Sequence, residues 1–204
     1  MSQTGRNRTP LTNARDHVEF LAAFLRSPLQ MSAIFPTSPE IGRAMVRGLE
    51  LDKARAVVEF GPGTGSITKA VLEVIGEATM FFAVELNEQI AKRFAKNFPT
   101  VPLFQGDAAE IARYTQEVGA AHLDAVITAL PWTTIPTKAR VRILDETVRL
   151  MRPGAVFTWV TYRSVKSAGV QEFMGELAAR FGRVEPAIEV RRAMVPAHVQ
   201  RCYR

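Results

Sequence analysis

The sequence predicts an α/β fold: a mostly parallel, seven-stranded sheet with helices on both faces and a helical extension before it. Three observations carry this. From residue 56 onward, short β-branched and aromatic runs alternate with helical patterns, which is the signature of parallel strands joined by crossover helices. The first strand–helix junction is the glycine-rich stretch Glu59-Phe60-Gly61-Pro62-Gly63-Thr64-Gly65. The next two strands each end near an acid, Glu85 and Asp107.

The elements follow in order. Residues 1 to about 13 are polar, and they read as a tail. Asp16 to Arg26 places Val18, Leu21 and Leu25 on one helical face with Phe20 and Phe24 beside it. Ser27-Pro28 ends that helix. Ser38-Pro39-Glu40 starts another, with a cap residue, a proline at the first position and an acid in the first turn. Strands are expected near 56–60, 79–85, 101–105, 123–129 and 155–161. Helices are expected near 66–75, 88–97, 108–118, 137–151 and 168–181. Two further strand-like runs, Val184 to Val190 and His198 to Tyr203, complete the sheet as an antiparallel pair. The expected division is an N-terminal segment, 1–50, and a sheet domain, 51–204.

Composition narrows the class. A hydrophobic content of 47% belongs to a globular chain rather than a disordered one. No apolar run reaches membrane-spanning length, and the N-terminus has no apolar signal core, so a cytoplasmic protein is expected. One cysteine and three histidines give no metal-ligand spacing, so no metal is expected. The net charge of +6 suits an anionic partner, a nucleic acid or an acidic membrane surface.

The glycine turn points to a nucleotide-type cofactor. A side chain at Gly61, Gly63 or Gly65 would obstruct close approach of a ligand to the backbone. The spacing departs from the dinucleotide fingerprint, because the third glycine comes one residue early and Ser66 stands at the dinucleotide position. Glu59 would repel a pyrophosphate but suits the α-ammonium of a methionine moiety. These features favour S-adenosylmethionine. Glu85 is placed to accept from a ribose diol, and Asp107, between Gly106 and Ala108, from an adenine amine. All would meet at the carboxyl ends of the strands, together with the fourth-strand tip Thr128-Ala129-Leu130-Pro131-Trp132.

Several segments together resemble the bacterial phospholipid N-methyltransferases of the soluble, membrane-associated type. They are Phe24 to Pro28, Ile34 to Ser38, the glycine turn running into Ile67-Thr68-Lys69-Ala70, Ala129-Leu130-Pro131, Thr161-Tyr162 and Val195 to Arg204. The resemblance implies a Rossmann-like class I methyltransferase acting on phosphatidylethanolamine or ornithine lipid, peripheral on the inner face of the membrane. It extends the expected cofactor set to Thr37, Thr64, Thr68, Leu86, Gly106, Ala108 and Ala129. Tyr162 is expected to orient the substrate amine, with the Ala129 carbonyl as an acceptor. Arg163 is expected to bind the lipid phosphate, and Trp132 to belong to the substrate site, as a lid or membrane-interface residue or, in the alternative, as a base-stacking aromatic; His198 is a further base candidate. The same region is similar to the ribosomal RNA adenine dimethyltransferases, whose fourth-strand asparagine is here Ala129 and whose helical C-terminal domain has no counterpart before Arg204. A small-molecule amine or carboxyl methyltransferase and a non-catalytic cofactor-binding module are the remaining alternatives.

Overall fold

The expected alternation is realised in a computed structural model, which describes residues 38–191, 193 and 195–204. The expected helix over 16–26, the segment around Thr37 and the N-terminal tail lie outside these residues. In chain order the regular elements are α1 (Pro39–Val46), β1 (Ala56–Phe60), α2 (Ser66–Leu72), β2 (Met80–Glu85), α3 (Glu88–Asn97), β3 (Leu103–Gln105), α4 (Ile111–Glu117) and β4 (Leu123–Thr128). There follow α5 (Thr137–Leu150), β5 (Met151–Thr161), α6 (Ala168–Ala178), β6 (Arg183–Val184), β7 (Ile188–Val190) and β8 (Ala197–Tyr203). No described helix is long and apolar enough to cross a membrane.

The strands pair in the order β3-β2-β1-β4-β5-β8-β6, with β7 also paired to β8. The first five are parallel, and β8 runs antiparallel to β5, β6 and β7. Strand order reverses between β1 and β4, and a crevice opens outside the carboxyl ends at such a switch point.

The sheet has eight strands among the described residues, one more than expected. The run 184–190 breaks into β6 and β7 around Pro186, which lacks the N–H needed to continue a ladder. Two other boundaries move. The helix expected from residue 108 begins as a 3₁₀ turn, Ala108–Glu110, before α4. β5 begins at Met151 rather than 155, because Met151 pairs with Leu123 ahead of a register shift.

Alternation along the strands divides the core. Val58, Phe60, Phe82, Val126, Phe157 and Trp159 pack with α4, α5 and α6 on one face. Val57, Ala83, Ala125, Ile127, Val160 and Val199 pack with α1, α2 and α3 on the other. Glu59 alternates onto this second face and so points toward α2. Arg201 of β8 ties α1 to the sheet: its Nη2 donates to the carbonyls of Ala44 at 3.0 Å and Arg47 at 2.6 Å, where a helix C-terminus favours a cation. At the opposite end of the sheet from the crevice, Asp124 Oδ2 accepts from the N–H groups of Arg55 (2.8 Å) and Ala56 (2.9 Å), and its Oδ1 pairs with Arg152.

Candidate active site

A shallow crevice lies at the switch point, lined by Gly61, Val84, Leu86, Gly106, Asp107, Ala108, Leu130, Pro131, Ile135 and Ile143. Its walls are mostly apolar, so it suits a flat, largely uncharged ring system. It gathers residues from the first four strand tips and α5, and of the residues expected to line it together it includes Asp107, Leu130 and Pro131 but not Glu59, Glu85, Thr128, Ala129 or Trp132.

The glycine turn forms one rim. Gly61 has φ +68° and a Cβ there would lie 2.8 Å from Leu130 Cδ2. Gly65 has φ +83°, and a Cβ there would lie 2.0 Å from Phe98 Cε2. Gly63 has φ +55°, and its backbone N–H donates to the Glu85 carboxylate. Glu85 also accepts from Asn87 N at 2.9 Å and from Leu86 N. Its carboxylate therefore braces the turn against the tip of β2, beyond the ribose role expected of it. Burial pushes the Glu85 carboxyl above its ordinary range, against the pull of these donors.

Glu59 sits behind the turn, fully buried. Its Oε2 accepts a 2.6 Å hydrogen bond from Thr68 Oγ1, and its Oε1 has no partner among the described residues. Burial drives its pKa up to about 8, with the nearby Glu85 charge adding to the shift and the Thr68 bond opposing it. Thr68, expected as a cofactor contact, is itself fully buried and holds Glu59 in place. Thr64 lies in the turn, its hydroxyl 3.3 Å from that of Ser66.

At the third strand tip, Asp107 Oδ1 accepts from Ala109 N at 2.9 Å, and Oδ2 lies 3.9 Å from Arg142. One oxygen thus caps the 3₁₀ turn while the residue still lines the crevice. Gly106 leaves room for Tyr114, whose hydroxyl would lie 2.1 Å from a Cβ at that position.

The loop after β4 departs from expectation. Leu130, Pro131 and Ile135 face the crevice, but Trp132 is 1% exposed and turned into the core. Its indole stacks on Phe173 with centroids 5.1 Å apart and meets Phe157 edge-on. Trp132 is therefore neither a lid nor a membrane-interface residue. The loop is fastened by Arg140, which sequence reasoning missed: Nη1 donates to the carbonyls of Trp132 and Ile135, while Nε and Nη2 pair with Glu172 and Glu176. Arg140 is one of three arginines in α5, with Arg142 and Arg149, and nothing in the local sequence marks it as the buried one.

Ala129 and Tyr162 lie past the tips of β4 and β5, and both pack against the α1–α2 face of the core. They are thus on the same face as Glu59. Arg163 is exposed, its backbone N–H donating to Thr161 Oγ1 at 3.1 Å. His198 pairs in register with Thr161, and its buried Nδ1 has no partner among the described residues.

The site fits S-adenosylmethionine. A glycine turn admits close approach, the Glu59 carboxyl behind it keeps one buried oxygen with no partner among the described residues, and an apolar slot with Asp107 at its edge suits adenine.

Comparison with known proteins agrees with this geometry. Residues 57–154 match a family model described as a methyltransferase domain. The chain is 28% identical over 155 residues to an ornithine lipid N-methyltransferase of Singulisphaera acidiphila, a match covering 72% of this chain and 78% of the relative. It is 27% identical over 129 residues to a ribosomal RNA small subunit methyltransferase A of Chlorobaculum tepidum, covering 63% of this chain but less than half, 45%, of that relative. Among solved structures, the 1,6-didemethyltoxoflavin-N1-methyltransferase of Burkholderia thailandensis, with bound S-adenosylhomocysteine, superposes with a TM-score of 0.68 at 17% identity, over 97% of this chain and 93% of that one. The fold is the Rossmann-like fold of the S-adenosylmethionine methyltransferases. The domain match and the fold together support an S-adenosylmethionine-dependent methyltransferase.

Proposed function

We propose that this protein methylates the amine of a membrane-lipid headgroup, ornithine lipid or phosphatidylethanolamine, at the cytoplasmic membrane surface. The placement of Trp132 carries this reading. An enzyme that methylates a nucleobase must hold the extruded base by stacking and by hydrogen bonds to its edge. Here the aromatic side chain after the fourth strand is packed on Phe173 in the core. The position that would supply a side-chain amide is Ala129. An aliphatic amine needs neither group. The ornithine-lipid relative, matched over most of its length, supports the same choice.

S-adenosylmethionine, when bound, supplies a methyl group already activated by its sulfonium. The protein's part is placement and exclusion of water. Glu59, with its unpartnered oxygen, would hold the ammonium, the glycine turn would admit the methionine moiety, and Leu86, Leu130 and Ile135 would hold the ring beside Asp107. The acceptor amine must be neutral to attack, yet a primary amine of pKa about 10 is only about 0.1% neutral at pH 7. Burial beside the apolar ends of β4 and β5 disfavours the ammonium and raises that fraction. Tyr162 and the Ala129 carbonyl orient the amine, and Arg163 takes the headgroup phosphate or carboxylate. The net charge of +6 favours an anionic surface.

The test is lipid mass spectrometry after incubation with S-adenosylmethionine and liposomes of phosphatidylethanolamine, ornithine lipid and an anionic lipid. One to three added methyl groups on one headgroup are expected. Unmodified lipids alongside methylated ribosomal RNA or a methylated soluble amine would replace this reading with one of those classes.

A further inference from the structure

We infer that Arg140 is a positioning residue whose buried guanidinium sets the shape of the crevice wall from behind. The inference rests on the reading of the crevice as the cofactor site. Arg140 lies in the first turns of α5 and is 2% exposed. A charge at that depth persists only if its donors are satisfied. Its Nε donates to Glu176 Oε2 at 2.8 Å and its Nη2 to Glu176 Oε1 at 2.5 Å, a two-pronged pair; Nη2 also reaches Glu172 Oε1 at 2.6 Å. Both acids stand on α6. The remaining nitrogen, Nη1, donates to the carbonyl oxygens of Trp132 (3.1 Å) and Ile135 (3.4 Å).

One cation therefore joins three segments: α5, α6 and the loop after β4. The loop's other side carries Leu130, Pro131 and Ile135, which line the crevice. Packing reinforces the same arrangement. Phe173 of α6 lies under both the Trp132 indole and, at 5.8 Å, the Arg140 guanidinium. Gly169 of α6 faces the loop, where a Cβ would rest in ordinary contact, 3.5 Å from Thr133 Cβ. The wall nearest the expected adenine position is thus held by a helix that never touches the crevice. Lysine cannot substitute, because a single ammonium cannot form the planar pair with Glu176 and still span to both carbonyls.

The experiment compares wild type, Arg140→Lys, Glu176→Gln and Asp124→Asn. The last is a stability control, since Asp124 anchors the far end of the sheet and touches neither loop nor crevice. Amide hydrogen exchange over residues 130–136 and calorimetric titration with S-adenosylhomocysteine are the two readouts. In Arg140→Lys, faster loop exchange and affinity weaker by about tenfold are expected, the latter being a shift of about 1.4 kcal/mol. Glu176→Gln, which keeps both carbonyl bonds, should show the same changes to a smaller degree and serves if the lysine variant does not fold. Asp124→Asn should lose thermal stability while keeping wild-type affinity. Affinity lost equally in the Arg140 and Asp124 variants, or lost in neither, overturns the inference. Wild-type protein that fails to bind S-adenosylhomocysteine overturns the cofactor reading instead, and the exchange data still report whether Arg140 orders the loop.

Discussion

The Thr68 hydroxyl donates a 2.6 Å hydrogen bond to Glu59 Oε2, joining the first turn of α2 to β1 from behind the glycine turn. Both residues are fully buried. The bond is the one side-chain donor given to a carboxyl group whose other oxygen has no partner among the described residues. It thus fixes the orientation of the carboxyl group whose other oxygen is proposed above to hold the cofactor's ammonium.

Thr68→Val keeps the shape of the side chain and removes only the donor. A buried acceptor left unpaired costs about 1–3 kcal/mol. The variant should lose that much in urea unfolding, and its Glu59 pKa should rise further, because the lost bond is one that lowers it. Thr68→Ser retains the hydroxyl and should recover most of the loss. Equal unfolding midpoints for valine and wild type would show that the bond contributes nothing.

Glu59 also makes the stability of the ligand-free protein depend on pH in an unusual direction. Its pKa is raised from 4.5 to about 8 in the folded state, chiefly by burial. Between those values the folded state holds a proton that the unfolded state has released. Stability from this group is therefore full below pH 4.5 and is lost as pH rises through about 8. The exposed acids with lowered pKa values, such as Glu50 and Glu88, act in the opposite sense and at lower pH. Urea midpoints of wild type and Glu59→Gln should diverge as pH rises across this window, with wild type falling relative to the glutamine variant. Parallel profiles would mean that Glu59 titrates normally.

Much of this was legible in the chain because it is local. Alternating runs gave the parallel strands, and the crevice residues Gly61, Leu86, Asp107 and Ala108 fell at strand tips. What was not legible depends on partners distant in sequence. Arg140 finds Glu172 and Glu176 only once α5 and α6 lie side by side. Trp132 follows the last residues of a strand, where no periodicity says which way a side chain turns. Glu85 and Thr68 each carried a plausible ligand role, and only the folded geometry shows that both bond to the protein itself.

Two glycines of the turn, Gly63 and Gly65, should differ in what they tolerate. Alanine at Gly63 meets nothing closer than 4.0 Å, so its cost is the left-handed backbone alone, about 1–2 kcal/mol. Alanine at Gly65 carries the same strain and also places Cβ 2.0 Å from Phe98 Cε2. Relief requires moving Phe98 out of its stack on Phe94, whose ring centroid lies 4.9 Å away. Thermal unfolding should therefore rank Gly65→Ala well below Gly63→Ala. Equal melting temperatures would mean that Phe98 yields freely.

Cys202 offers a direct probe of the sheet. It is the single cysteine in the sequence, it is fully buried, and it sits on β8 between Phe157 of β5 and Val184 of β6. Burial pushes its thiol up to about 12, so hardly any thiolate exists at neutral pH and no reagent can reach it in the closed state. Alkylation of the native protein should proceed only through opening of β8. Because β8 bridges the parallel strands and the C-terminal hairpin strands, that opening should be close to global unfolding. The labelling rate should then rise with urea along the slope of the equilibrium unfolding curve, and Asp124→Asn should accelerate it in proportion to its loss of stability. Rapid labelling without denaturant, at a rate indifferent to urea, would show instead that β8 detaches while the parallel sheet stays folded.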